Sequence, residues 1–311
     1  MILITGATGF VGRALVQRLA AEQRQVRCLL RPSRREQHLA TGIPFSTVSA
    51  NLNDPPALRT AMQDVTTVVH LTGEEDLDHG GTMRTHVEDT INLVTAAEEA
   101  DVRRFIYLSR LGADRASAYP LFQARGEAET VVRESGLDAT ILQASLLYGP
   151  EDLSTTMLVM LAKVIPFILP IPDTGLSRFQ PLWIGDLTTC VLATLDRDDL
   201  IGQTIPLGGP EHFTLEQMVT QVLAAAGLRR RLVHVHTRLM QGGITLLDTL
   251  IPRIPTPAWW LDLLTVGSST DLVTVPRHFE FQPARFAESL DYVHQKRPWR
   301  RDLIRLILNR L

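Results

Sequence analysis

Three glycines stand three residues apart near the start of the chain, in Thr5-Gly6-Ala7-Thr8-Gly9-Phe10-Val11-Gly12. They follow the apolar run Ile2, Leu3, Ile4 and open an amphipathic run from Phe10 to about Glu22. A glycine motif between a strand and a helix is the context in which it can cradle phosphate. Gly6 permits the tight turn, Gly9 lets a pyrophosphate approach the backbone, and Gly12 lets the helix lie close on the strand. Free amides from Thr8 through Phe10 and Val11 can then hold the anion at the helix start. The spacing is G-x-x-G-x-x-G, and the plain alternative is a glycine-rich turn with no ligand.

The ends of the next strands bear on which dinucleotide fits. An NAD site usually carries Asp or Glu after the second strand to hold the ribose 2′-hydroxyl. Here the sequence is Leu-Leu-Arg-Pro-Ser-Arg-Arg-Glu, with Arg31, Ser33, Arg34 and Arg35. Arg34 and Arg35 fall where a helix begins, and cations there cost roughly 0.3–1 kcal/mol against the macrodipole. A 2′-phosphate offsets that cost through charge-assisted hydrogen bonds, so NADP(H) is preferred over NAD(H). A solvated basic patch is the other explanation. Asn51 and Leu52 end the third strand, on the adenine side. His70, Leu71, Thr72 and Gly73 end the fourth, beside the pyrophosphate and nicotinamide ribose. His70 is read as a packing residue. No cluster suggests a metal site.

The elements that must position these residues alternate through the first half. "QVRCLL", "PFSTVSA", "TTVVHLTG", "RRFIYLS" and "DATILQAS" are short apolar runs, separated by amphipathic ones. Strands that are apolar without alternation, each followed by a helix, build a parallel sheet covered on both faces. The expectation is an α/β doubly wound Rossmann fold over residues 1–150 and a smaller, mostly helical lobe over 151–311. Strands near 179–184 and 203–208 would return to the core. Asp186 is expected to cap one late helix, and Thr214 with Gln217 forms a capping-box pattern ahead of another.

A net charge of −3 argues against nucleic acid as the main partner. Cys28 and Cys190 read as buried thiols of a reducing cytoplasm. The apolar run at 157–172 is broken by Lys163 and three prolines, too short to span a bilayer, and no signal peptide fits before Ile2. A cytoplasmic protein, peripheral at a membrane in one reading, is the expectation.

"TGATGFVG", "HLTG", "RRFIYLS", "LLYGPED", "FQPLWIGDL" and "TIPLGGPEHFTLEQMV" together resemble the short-chain dehydrogenase/reductase superfamily in its extended and atypical branches. Within it the chain is similar to the NADP-binding accessory subunit of respiratory complex I and its bacterial, NmrA-like relatives. Nitrogen-metabolite regulators and photosystem assembly factors stand near. The resemblance implies a Ser-Tyr-Lys set. Tyrosine is the acid/base, lysine lowers its pKa and holds the nicotinamide ribose, and serine polarises the substrate. Tyr and Lys must stand four apart to share a helix face. Alignment puts Arg110 at the serine, Leu121 at the tyrosine and Arg125 at the lysine. Ser109 is one residue off and faces the other side of its strand. Tyr119 precedes Arg125 by six, which rotates it about 120° away on a helix, and Pro120 suggests that the helix begins there.

Arg125 can still bond the ribose as a fixed cation. Arg110 either grips an anionic ligand or pairs with Asp114 or Glu127. With no settled catalytic group, Tyr119, Arg125 and Arg110 are the catalytic candidates. The first functional reading is an NADP(H)-binding protein that lacks the catalytic set and serves a structural, assembly or redox-sensing role. The second is an active NAD(P)-dependent oxidoreductase or nucleotide-sugar epimerase or dehydratase with a displaced acid/base. A third is a regulator reporting the NADPH/NADP ratio to a protein partner.

From His294 to Leu311, Lys296 and Arg297, 300, 301, 305 and 310 against Asp302 give +5, leaving −8 for the rest. Trp299, Leu303, Ile304, Ile307 and Leu311 share one helical face. Such a basic amphipathic helix docks on a membrane surface, on a protein partner, or on the chain's own core. "TPAWWLDLL" at 256–264 is similarly apolar and lines either a substrate lobe or an interface.

Overall fold

The computed structural model describes residues 1–32, 44–71, 83–152, 154–165, 167–250, 263–264 and 266–294. Ser33, Arg34, Arg35, Thr72, Gly73, most of 256–264 and the C-terminal run 295–311 lie outside the described residues. The chain divides into two units. The first comprises Met1–Ala144, Ile184–Leu207 and Arg277–Glu280, and the second comprises Ser145–Trp183, Gly208–Pro276 and Phe281–Leu311.

The first unit is built on a seven-stranded sheet. Its strands are β1 (Ile2–Thr5), β2 (Val26–Leu30), β3 (Ser46–Ser49), β4 (Thr67–Leu71), β5 (Arg104–Arg110), β6 (Asp138–Ala144) and the later strand Thr204–Leu207. All pairings are parallel, in the order β3-β2-β1-β4-β5-β6 followed by Thr204–Leu207. The chain reverses direction of winding between β1 and β4, the switch point where doubly wound sheets bind ligands. β1 is buried at all four positions, as a strand covered on both faces must be.

The helices are α1 (Phe10–Ala21), α2 (Pro55–Ala61), α3 (Met83–Glu99), α4 (Pro120–Glu134) and Ile184–Leu195. On one face Leu58, Leu93, Ala97, Phe105, Ala128 and Val132 share a core. α1 and Ile184–Leu195 touch each other. Asp54 starts α2 by accepting the Ala57 amide at 3.2 Å, which satisfies one of the amides left open at a helix start. Cys28 and Cys190 are fully buried, and burial pushes the Cys28 thiol up to about 11 and that of Cys190 higher still.

The second unit combines helices Ser154–Val164, Leu215–Ala225, Thr237–Leu250 and Asp291–His294 with three two-stranded sheets. Its core gathers Tyr148, Phe179, Phe286, Leu215, Met218 and Val219. The capping box forms: the Gln217 amide donates to Thr214 Oγ1 at 3.2 Å, and the Thr214 amide to Gln217 Oε1 at 2.9 Å.

Three details differ from the sequence reading. The first unit runs to Ala144, not 150. Of the two strands expected to return to the core, Thr204–Leu207 does join the main sheet beside β6, with Ile205 opposite Leu142. Arg178–Phe179 and Leu182–Trp183 instead pair with Phe213–Thr214 and Leu147–Tyr148 in the second unit. The Gln180-Pro181 step breaks that segment into two pieces too short for the main sheet. Asp186 sits inside the first turn of Ile184–Leu195 rather than capping a helix that starts after it.

Candidate dinucleotide site

At the switch point the backbone leaves no room for side chains. Gly6 has φ +69°, and a Cβ there would lie 1.8 Å from the Leu71 carbonyl oxygen at the end of β4. At Gly12 a Cβ would come within 2.1 Å of the Gly6 carbonyl oxygen. Both contacts are far inside van der Waals distance, so glycine is demanded where β1, β4 and α1 converge. The Gly9 amide closes the turn onto the Gly6 carbonyl at 3.1 Å, and Arg13 donates to the Thr8 carbonyl.

Gly9 is the N-cap of α1. It has no side chain to cap the first amides, and the first turn holds no acidic residue. Phe10 and Val11 are half-buried at this start. A helix N-terminus so arranged presents N–H groups and positive dipole outward, a seat for a pyrophosphate.

Arg31 follows β2 and forms an ion pair with Asp89 of α3, Nη2 to Oδ2 at 2.8 Å. Asp89 is 5% exposed, so the carboxylate fixes one edge of the guanidinium from the buried side. Asn51 is exposed and Leu52 buried just after β3. The Asn51 carbonyl accepts the Asp54 amide at 3.0 Å, closing the turn into α2.

His70 is fully buried and joins β1 to α3. Its Nδ1 lies 2.7 Å from Thr5 Oγ1 and its Nε2 3.3 Å from Thr90 Oγ1. The Thr90 hydroxyl donates to the His86 carbonyl at 2.9 Å, so it accepts from His70 Nε2–H, and Nδ1 then accepts from Thr5. His86 Nε2 meets the Tyr107 hydroxyl at 3.1 Å, and the His70 and Tyr107 rings stack at 5.5 Å. Burial pushes His70 down to about 3, with the charges of Arg125 and Arg31 acting in the same direction. Burial, then Arg125, holds His86 well below the usual range too. His70 is therefore a neutral packing residue.

α4 begins at Pro120, with Tyr119 as its N-cap. Tyr119 is half-buried, its ring edge-on to Phe122 at 6.3 Å, and so lies on the lead-in rather than on the helix. Leu121 and Arg125, one turn apart on α4, are 3% and 5% exposed. Ser109 Oγ donates to Glu129 Oε1 at 2.5 Å, and Gln143 Nε2 donates to both Glu129 oxygens at 2.8 and 3.0 Å. Arg110 is half-buried at the end of β5.

The sequence reading missed Asp89, His86, Thr90 and Glu129. His86, Asp89, Thr90 and Leu93 follow the i, i+3, i+4, i+7 spacing of one helix face, and that was the signal available.

A family model described as NAD(P)H-binding matches residues 6–163, beginning on the first glycine of the cradle. The chain belongs to this NAD(P)H-binding family. Its cofactor class is a pyridine nucleotide, and the uncapped start of α1 beside the cradle glycines suits the pyrophosphate of such a ligand. Among curated relatives, NADH dehydrogenase (ubiquinone) 1 alpha subcomplex subunit 9 of Arabidopsis thaliana is 31% identical over 229 residues, 69% of this chain and 55% of that protein. Photosystem II assembly factor Ycf39 of Guillardia theta is 25% identical over 240 residues, 77% of this chain and 74% of that one. The chain spans about half the length of the curated relatives it first matches.

Solved structures share the fold of this family member. A nucleoside-diphosphate-sugar epimerase from Staphylococcus aureus superimposes with TM-score 0.74 at 17% identity, covering 93% of this chain and 99% of that one. UDP-glucose 4-epimerase of Thermotoga maritima gives 0.72 at 16%, covering 97% and 99%. Among the described residues no helix is long and apolar enough to cross a membrane, and no group of metal-ligating side chains occurs.

Proposed function

We propose that the chain binds NADP(H) as an atypical short-chain dehydrogenase/reductase-like protein without the Ser-Tyr-Lys set, and that its role is structural, in assembly, or in redox sensing. One observation carries this reading. The helix turn that should bring a phenol and an ammonium together carries Leu121 and Arg125, both buried. Leucine has no proton to exchange, and a guanidinium does not titrate near neutrality. Ser109, the nearest hydroxyl in sequence to the serine position, is engaged by Glu129.

A bound nicotinamide supplies a hydride couple. This chain's residues hold the dinucleotide: the α1 amides take the pyrophosphate, Arg125 the nicotinamide ribose, and Arg31, oriented by Asp89, the 2′-phosphate. Ser33, Arg34, Arg35, Asn51, Leu52, Leu71, Thr72 and Gly73 complete the proposed contacts. The names of the relatives, a subunit of an NADH dehydrogenase subcomplex and a photosystem II assembly factor, favour a protein partner over a small substrate.

The test pairs retention with turnover. The purified chain is loaded with NADPH, desalted, and assayed for NADPH oxidation with quinones, carbonyls and nucleotide sugars. Retention without turnover is expected. Robust turnover abolished by Tyr119→Phe would establish the active oxidoreductase instead, and failure to retain any pyridine nucleotide removes the proposal.

A further inference from the structure

An apolar tip bordered by cations stands on the second unit. The helix Ser154–Val164 ends on Lys163 and Val164, and Phe167 leads into the strand Ile168–Pro172. Val164, Phe167 and Ile168 are 57%, 83% and 45% exposed. Phe167 also has φ +71°, a conformation unfavourable to a bulky side chain. The backbone thus holds a strained aromatic residue out in water, which core packing does not explain.

The cations come from a second segment. Arg231–Val235 pairs in parallel with Ile168–Pro172, with Arg231 opposite Ile168, and the Arg231 amide donates to the Phe167 carbonyl at 2.9 Å. Arg230 Nε donates to the Ala162 and Ile165 carbonyls at 2.8 and 3.3 Å, tying this segment to the end of the helix. Arg229, Arg231 and Lys163 are exposed. Neither 154–172 nor 224–235 contains a single Asp or Glu.

We propose that this tip docks the protein on an anionic lipid bilayer. Val164, Phe167 and Ile168 enter the boundary between headgroups and acyl chains, while Lys163, Arg229 and Arg231 meet the lipid phosphates. Apolar groups for the interface combined with cations for the surface potential are what peripheral binding needs. Val164 and Ile168 are aliphatic, so Phe167 alone offers a ring for a base to stack on, which disfavours a nucleic acid strand. None of these residues belongs to the basic run at 295–311.

Flotation of the full chain with vesicles of equimolar phosphatidylcholine and phosphatidylglycerol, against phosphatidylcholine alone, tests this. Binding to the anionic vesicles is expected, weakening with added salt. Phe167→Ser should abolish it, and Arg229→Gln and Arg231→Gln should each weaken it about fivefold. Thermal unfolding of each variant checks the fold. An environment-sensitive thiol dye on Phe167→Cys should shift to the blue on anionic vesicles. Labelling is selective because Cys28 and Cys190 are buried. The proposal is overturned if the full chain ignores anionic vesicles, if neutral vesicles bind it equally, or if Phe167→Ser binds like the parent. It also fails if only removal of 295–311 matters, or if the tip variants instead change self-association or binding to RNA.

Discussion

The hydroxyl of Ser109 donates to the carboxylate of Glu129 across 2.5 Å, joining β5 to α4 in surroundings where the two residues are 5% and 3% exposed. The strand alternation that turns Ser109 toward α4 turns Arg110 the other way. A hydroxyl in the right stretch of sequence is thereby spent on structure.

Ser109→Ala should therefore destabilise the fold and leave dinucleotide retention unchanged. Glu129 keeps Gln143 but loses its shortest donor. The expected loss is about 1–3 kcal/mol, as for a buried carboxylate deprived of one hydrogen bond. Urea unfolding measures it. A Ser109→Ala protein of full stability that fails to retain NADPH would contradict this assignment.

Arg125 is proposed to hold the nicotinamide ribose, so Arg125→Ala should weaken NADPH binding by about ten- to a hundredfold, the range of hydrogen bonds to a charged group. Arg125→Lys keeps the charge and should recover part of it. Calorimetric titration of both variants distinguishes a ribose contact from a purely packed arginine, which would leave affinity unaltered in a folded variant.

Arg31 should discriminate between cofactors. Arg31→Lys retains a cation for Asp89 but loses the planar fork, and should lower NADPH affinity about tenfold more than NADH affinity. Arg31→Ala would in addition strand the buried Asp89 carboxylate, so stability must be followed in parallel. Equal affinity of the parent protein for NADPH and NADH would remove the preference.

His70 gives a pH dependence of known sign. Its folded pKa is depressed from 6.5 to about 3, so below about pH 6.5 the unfolded chain binds a proton that the folded chain refuses. Stability present above that pH is lost as pH falls toward about 3, at about 1.4 kcal/mol per pH unit. Asp152 in the second unit opposes this. Burial raises its carboxyl from 3.8 to about 6, so the folded state holds that proton and gains stability as pH falls through about 6. Comparing the parent with His70→Gln isolates the histidine: the variant starts less stable near neutrality, and the gap should narrow as the solution is acidified. A gap that does not change with pH contradicts a neutral His70.

Local sequence determined a good deal. Apolar runs without alternation required a parallel sheet covered on both faces. Glycines at 6, 9 and 12 between strand and helix announced the cradle, and Pro120 marked the start of α4. That Leu121 and Arg125 share a face of α4 was legible from helix spacing, once the family resemblance had named the two positions. Only the tertiary structure decided the rest, because it depends on contacts between residues far apart in the chain. Asp89 meets Arg31 from 58 residues away, and His70 is tied to Thr5 across 65. No local pattern says which of two similar short strands enters the main sheet. Thr204–Leu207 does so because β6 leaves it an open edge to bond and cover, and that edge exists only once the chain has folded.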